Sequence, residues 1–290
     1  MDAGQPSRTA LATAAARAAH LIVDQPPWIF EDGVAALLLG ELAEEHLAPH
    51  RDAGSGHVLG SMRVAMTARS RYTEACLADA CDRGVDQYVL LGAGLDSFAC
   101  RSPLTRRLRV FEVDHPATQA WKRERLAAAG IPLPDEARLV AVDFRTDSLR
   151  DRLAEAGFDH SQPAFVSWLG VTQYLPGEAI AATLDVIARL CPGTELAMEY
   201  LVPAELRDEP GTALADFYIP RAAGLGEPWL SFLTPDEVAA LLTARDMVVV
   251  DDVGRRDQVE PSLWERSDGL CPHELGRVVR AVLRPARPRR

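Results

Sequence analysis

Apolar positions along this chain change their spacing once, near residue 85. Before that point they recur with a helical period. Residues 8–22 are alanine-rich, and 31–47 carry an apolar stripe through Val34, Leu37, Leu38, Leu42 and Ala43, so both stretches predict helices. Arg51 to Gly60 holds three glycines and reads as a loop, after which 61–83 predicts a helix that Gly84 ends. Beyond Gly84 the pattern turns to short apolar runs: Gln87–Leu91, Leu108–Val113, Arg138–Val142, Ala164–Leu169, Glu195–Tyr200, Met247–Val250 and Arg277–Leu283. Such runs fit strands buried on both faces. Helical patterns lie between them: one from Pro116 to Gly130, one placing Ile180, Leu184 and Ile187 on a face, and one opened by the capping box Thr234-Pro235-Asp236-Glu237. Strands alternating with helices predict an α/β fold with a mostly parallel, Rossmann-like sheet. No internal repeat is visible.

One stretch breaks the alternation. Residues 201–233 contain Pro203, Pro210, Pro220 and Pro228 with Phe217, Tyr218, Trp229 and Phe232, a composition expected of a lid insertion after a strand. The expected organisation is a helical N-terminal cap over 1–84 and a sheet domain over 85–290 carrying that lid. The cap offers a surface for a homodimer.

Composition narrows the classes. A chain of 290 residues with 48% hydrophobic and 25% charged residues is globular rather than disordered. No apolar run approaches the ~20 residues of a membrane helix, and no secretory signal is read at the N-terminus. A net charge of −11 disfavours a nucleic-acid surface. The basic run from Arg284 to Arg290 is broken by proline and reads as a solvated tail. Five cysteines without CxxC spacing predict reduced thiols and a cytoplasmic location. His46 and His50 are spaced i, i+4, but Pro49 interrupts them and no third ligand is apparent, so no metal is expected.

The chemistry begins where the first strand ends. Gly92-Ala93-Gly94 lets the backbone turn tightly and approach a ligand, and ligands of open α/β sheets bind beyond the strands' carboxyl ends. Glu112 and Asp114 close the second strand, Asp114 falling 22 residues after Gly92, where a carboxylate can accept both hydroxyls of a ribose. A dinucleotide site would want glycine at 97, where this chain has Ser97, and Asp96 would repel a pyrophosphate. S-adenosyl-L-methionine, with its sulfonium, ammonium and carboxylate, suits the site better. Arg69 shares a helix face with Ala65, Tyr72 and Cys76, whereas Arg71 points elsewhere. An inward arginine needs an anion, either a protein carboxylate or that of the cofactor.

The motifs Ala68-Arg-Ser-Arg-Tyr72, Leu91-Gly-Ala-Gly-Leu-Asp-Ser97, Phe111-Glu-Val-Asp-His-Pro116, Val142-Asp-Phe-Arg145 and Tyr174-Leu-Pro176 occur in an order that resembles the leucine carboxyl methyltransferase family. The similarity is greatest to its bacterial branch of S-adenosylmethionine-dependent O-methyltransferases and spans roughly residues 15–285. It implies a class I methyltransferase sheet whose last strand is antiparallel. It further implies that Arg69 holds the cofactor carboxylate, Gly92 lies under the methionine part, Asp114 takes the ribose hydroxyls, and Asp143 with Phe144 frames the adenine. Many members carry a glutamate at the end of the fourth strand, where this chain has Leu169 in Ser167-Trp168-Leu169-Gly170-Val171-Thr172-Gln173-Tyr174.

Methyl transfer is an in-line displacement to which a protein contributes alignment and exclusion of water. An acceptor carboxylate is already ionised at neutral pH, whereas a hydroxyl benefits from a base. Residues at strand ends or in the lid with suitable groups are His115, Gln173, Tyr174, Glu199, Tyr200 and Tyr218, of which Tyr174 and Tyr200 are the catalytic candidates. The expected activity is O-methyl transfer to a carboxylate or hydroxyl of a small, apolar, natural-product-type metabolite. A cofactor-binding protein without transfer, and a nicotinamide oxidoreductase, stand against it.

Overall fold

The computed structural model describes residues 7–52, 56–143 and 146–284. Four helices precede the sheet: α1 (Arg8–Val23), α2 (Ala35–Leu39), α3 (Ala43–Arg51) and α4 (Gly56–Asp82). The stripe over 31–47 is thus two helices rather than one. Gly40 adopts φ +57°, a left-handed conformation that ends α2, and Asp32 caps its start by accepting from the amides of Val34 and Ala35. The loop expected over 51–60 is shorter, because α3 runs through Pro49 to Arg51 and α4 begins at Gly56.

The seven strands fall where the apolar runs do: β1 (Gln87–Leu91), β2 (Arg109–Asp114), β3 (Ala137–Ala141), β4 (Phe165–Trp168), β5 (Glu195–Leu201), β6 (Met247–Gly254) and β7 (Gly276–Leu283). They form one sheet in the order β3-β2-β1-β4-β5-β7-β6. β7 runs antiparallel to both β5 and β6, and the other neighbouring strands pair in parallel. Strand order reverses between β1 and β4, which opens a crevice beyond their carboxyl ends.

Both faces of the sheet are covered. On one, Cys76, Leu77 and Ala80 of α4 pack with Phe98 of α5 (Phe98–Arg101) against Tyr88, Leu90 and Val110. On the other, α7 (Leu149–Glu155), α8 (Gly177–Ile187) and α10 (Pro235–Thr243) bring Leu153, Ile180, Leu184 and Val238 onto Val89, Val166, Leu196 and Val279. Helix α6 (Pro116–Ala128) reaches α1 and α2 through Leu126, which packs with Ala14 and Leu38. The Thr234 capping box forms in full at the start of α10. The proline-rich stretch after β5 is more ordered than its composition predicts. It contains α9 (Glu209–Gly224), in which Pro210 occupies the first turn, where its missing N–H costs nothing, and Asp208 caps the helix by accepting from Gly211. Among the described residues no helix is long and apolar enough to cross a membrane.

Candidate functional site

A cleft of about 500 Å³ lies at the switch point, and β1, β2, β4 and α1 all supply its walls. Its floor is the turn after β1. Gly92 sits at φ +70°, and its amide and that of Ala93 both donate to the Val113 carbonyl, so the turn folds back onto β2. A Cβ on Gly92 would stand 2.4 Å from Val171 Cγ2, so glycine is required here by packing as well as by φ. Gly94 donates its amide to Asp114 Oδ2 at 2.6 Å, while Oδ1 accepts from the His115 amide at 2.7 Å. Burial pushes the Asp114 carboxyl up against the pull of those two amides. The Thr118 side chain bonds to the carboxylate as well, so three of its roughly four acceptor sites are used within the protein.

The remaining expected residues divide. Arg69, Gly92, Ala93, Gly94, Asp96, Asp114, Asp143 and Leu169 all line this cleft. Asp96 also caps α5, its Oδ1 accepting from the Phe98 amide at 2.7 Å. Phe144 lies outside the described residues. His115 caps α6 through Nδ1, which accepts from the Ala117 amide. Glu112, which shares the acidic strand end with Asp114, faces away into the core and is bonded to Lys122 Nζ.

Arg69 is buried and meets a protein carboxylate: its Nη1 donates to Glu199 Oε2 at 2.5 Å. The other Glu199 oxygen accepts from Arg255 Nη2. Burial alone would push the Glu199 carboxyl up, but the two guanidiniums outweigh it and hold it below the ordinary carboxylate range. Two cations and one anion leave one positive charge unmatched at the wall of the cleft, and an anionic ligand group would match it. Gly170, at φ +70°, lies against the Arg69 guanidinium, and a Cβ there would stand 2.9 Å from Nη1. Arg71, by contrast, is half-buried and paired with Glu260.

A second cavity of about 190 Å³ adjoins the first and shares Thr9, Thr13, Arg69, Gly170 and Tyr174 with it. Met62, Ala65, Met66, Leu201, Leu214, Tyr218 and Trp229 give it an apolar wall. Tyr174 stands at the junction, its hydroxyl 3.4 Å from Thr9 Oγ1. Tyr200 is a correction to the sequence reading. It is 1% exposed, lines neither cavity and gives its hydroxyl to Asp252 at 2.6 Å, because alternation along β5 turns it away from the face that carries Glu199.

The sequence reading missed the contribution of α1. Thr9, Thr13 and Arg17 recur at i, i+4 and i+8, a polar line through an alanine-rich helix, and all three line the cleft. That line was the available signal. Arg17 Nη2 donates to the Leu95 carbonyl at 2.6 Å and Nε to Asp32 at 2.8 Å, fastening α1 to the glycine turn. Across the opening, Glu227 accepts from Ser7 Oγ at 2.9 Å and from Thr9 Oγ1.

The model of the family "Leucine carboxyl methyltransferase" matches residues 10–188. A Bacillus subtilis protein named "Putative S-adenosyl-L-methionine-dependent methyltransferase YktD" is 29% identical over 97% of this chain and 99% of its own length. A "Putative S-adenosyl-L-methionine-dependent methyltransferase" of Mycobacterium sp. (strain JLS) is 36% identical over 67% of this chain and 65% of its own. In fold, the crystal structure of a "putative methyltransferase" from Thermobifida fusca superposes with a TM-score of 0.61 at 19% identity, covering 98% of this chain and 97% of that one.

Proposed function

The chain belongs to the leucine carboxyl methyltransferase family, and from that premise we propose that it transfers the methyl group of S-adenosyl-L-methionine to an oxygen, carboxylate or hydroxyl, of a small apolar metabolite of natural-product type. The observation that carries this reading is the meeting of the two cavities at Arg69, Gly170 and Tyr174, one polar and acidic, the other apolar.

The residues of the larger cleft fit the cofactor's chemistry end by end. Arg69, with its unmatched positive charge, would hold the amino-acid carboxylate. Gly92, Ala93 and Gly94 supply a surface without bulky side chains, Asp114 offers its remaining acceptor site to the ribose hydroxyls, and Asp143 with Phe144 would frame the adenine. Asp96 and Leu169 complete that wall. When bound, the sulfonium supplies an electrophilic methyl group. This chain's part is alignment and shielding: α1 and residues 226–228 cover the cleft, acting with the stretch 201–233 as a lid, and Tyr174 would orient the acceptor oxygen at the junction.

Calorimetry with S-adenosyl-L-methionine and with NADH tests the cofactor, and tight binding of NADH alone would sink the reading. Methyl transfer, followed by mass, to a panel of aromatic acids and phenols tests the reaction. Cofactor binding with no transfer to any acceptor would mark a binding protein instead.

A further inference from the structure

We propose that the smaller cavity is the acceptor site, that it takes one ring-sized apolar group bearing a neutral hydroxyl, and that Gln173 is the residue that selects for that hydroxyl. The inference rests on the methyl-transfer reading and narrows it from carboxylate or hydroxyl to hydroxyl.

Size sets the first limit. A cavity near 150 Å³ lined by apolar side chains holds a benzene ring. At about 190 Å³ this one has room for a ring and a small substituent, and not for a folded chain terminus. Its wall of methionine, leucine and aromatic side chains rewards apolar surface at roughly 25 cal/mol per Å² buried.

Polarity sets the second. Most charged groups along this wall already have partners. Glu199 is saturated by Arg69 and Arg255, and Arg255 Nη1 is taken by Gln258. Arg69 lines both cavities, and the cofactor carboxylate would take its remaining donors. His273 is 1% exposed, donates from Nε2 to the Ser61 carbonyl and accepts at Nδ1 from the Leu275 amide. Arg221 lies exposed, donating to the Phe217 carbonyl and stacked on the Phe217 ring.

Three polar atoms on this wall are buried with no partner: Gln173 Oε1, Trp229 Nε1 and Arg255 Nε. Gln173 itself is only 7% exposed, and its backbone carbonyl is held by the Leu230 and Ser231 amides, which fixes the side chain's root beside Trp229. A buried polar atom left unpaired costs about 1–3 kcal/mol, so a ligand that pairs it is favoured. The terminal torsion of a glutamine side chain is soft, which lets the amide meet a ligand group. One of these atoms, Gln173 Oε1, is an acceptor and the other two are donors. A hydroxyl can donate to Gln173 Oε1 and accept from Trp229 Nε1, whereas a carboxylate can accept from the two donors but leaves Gln173 Oε1 unpaired.

The test uses the full chain saturated with S-adenosylhomocysteine and three probes of one shape: 4-methylphenol, 4-methylbenzoate and 4-xylene, with affinities read by ligand-observed NMR. Wild type should bind 4-methylphenol about tenfold tighter than either of the others. Gln173→Leu should erase the advantage over 4-xylene while S-adenosylhomocysteine affinity holds. Ala65→Leu, which adds bulk to the wall, should weaken all three probes at an unchanged unfolding midpoint. A preference for the benzoate, an advantage that survives Gln173→Leu, or no ring binding to the loaded protein would each overturn the proposal. Failure to bind S-adenosylhomocysteine would instead strike at the methyl-transfer reading itself.

Discussion

Arg69 and Arg71 stand two positions apart on α4 and experience opposite surroundings. Arg71 makes a solvent-exposed pair with Glu260, the kind of contact worth under about 1 kcal/mol. Arg69 is buried against Glu199 and turned toward both cavities. In Arg69→Ala, calorimetry should show cofactor affinity reduced tenfold or more, because a charge-assisted contact to the cofactor carboxylate is lost. Arg71→Ala should leave that affinity within a factor of two, and equal effects would defeat the assignment. Stability should order differently. Arg69→Ala leaves Glu199 with Arg255, whereas Glu199→Gln leaves two buried guanidiniums with no anion between them. Uncompensated buried charge costs on the order of 3–5 kcal/mol. Urea unfolding should therefore rank Glu199→Gln as the more damaging change, even though it removes a single charge from the far side of the pair.

At the scale of elements, the turn after β1 is held from two sides. Val171 fills the space where a Cβ of Gly92 would go, and Arg17 of α1 is bonded to the Leu95 carbonyl. Gly92→Ala should lose cofactor binding and about 2 kcal/mol or more of stability, through both the clash and the positive φ. Adding Val171→Ala should recover the steric part and not the conformational part, so partial rescue is the expected outcome of thermal unfolding. Arg17→Met would leave Asp32, which is 1% exposed, with Arg101 at 3.9 Å as its remaining cationic partner, and should destabilise the chain while also weakening cofactor binding through the loosened turn. These contacts show where the sequence was legible. Strand runs, the glycine turn, Asp114 and the inward face of α4 each declare themselves in local spacing, because one element's period or one turn's geometry suffices. Glu199, Arg255 and Glu227 do not. Their roles arise only when β5, the segment after β6 and the segment after α9 are brought beside α4 and α1, and no local pattern encodes that meeting. Tyr200 failed for the complementary reason: type and position suited a catalytic group, but the parity of β5 placed Glu199 on the cleft side and Tyr200 on the other.

For the molecule as a whole, acid stability should be governed by buried titratable groups, among them His273 in the wall of the smaller cavity. Burial pushes the His273 imidazole down to about 4 from its ordinary 6.5. The unfolded chain therefore takes up that proton first, and between pH 6.5 and 4 unfolding binds about one proton more than folding retains. The stability this site contributes is complete above pH 6.5 and declines as pH falls toward 4, at up to ~1.4 kcal/mol per pH unit. Glu74 works in the opposite sense. Burial raises its carboxyl to about 7, so its contribution is present below the ordinary 4.5 and is lost as pH rises through 7. The two oppose each other between pH 4.5 and 6.5, while His50, also pushed down to about 4 by burial, adds to the loss on the acid side, so the wild-type profile alone does not isolate His273. A variant separates them. His273→Gln can still donate to the Ser61 carbonyl and accept from the Leu275 amide, yet it cannot titrate. Its stability should fall less on acidification, so that the wild-type advantage at pH 7 shrinks by about 2–3 kcal/mol by pH 4, close to the value of two pKa units. Urea unfolding at half-unit pH steps for both proteins measures that difference directly. Parallel curves would show that His273 is not held neutral by the fold, and the packing of the β5–β7 end around the second cavity would need another explanation.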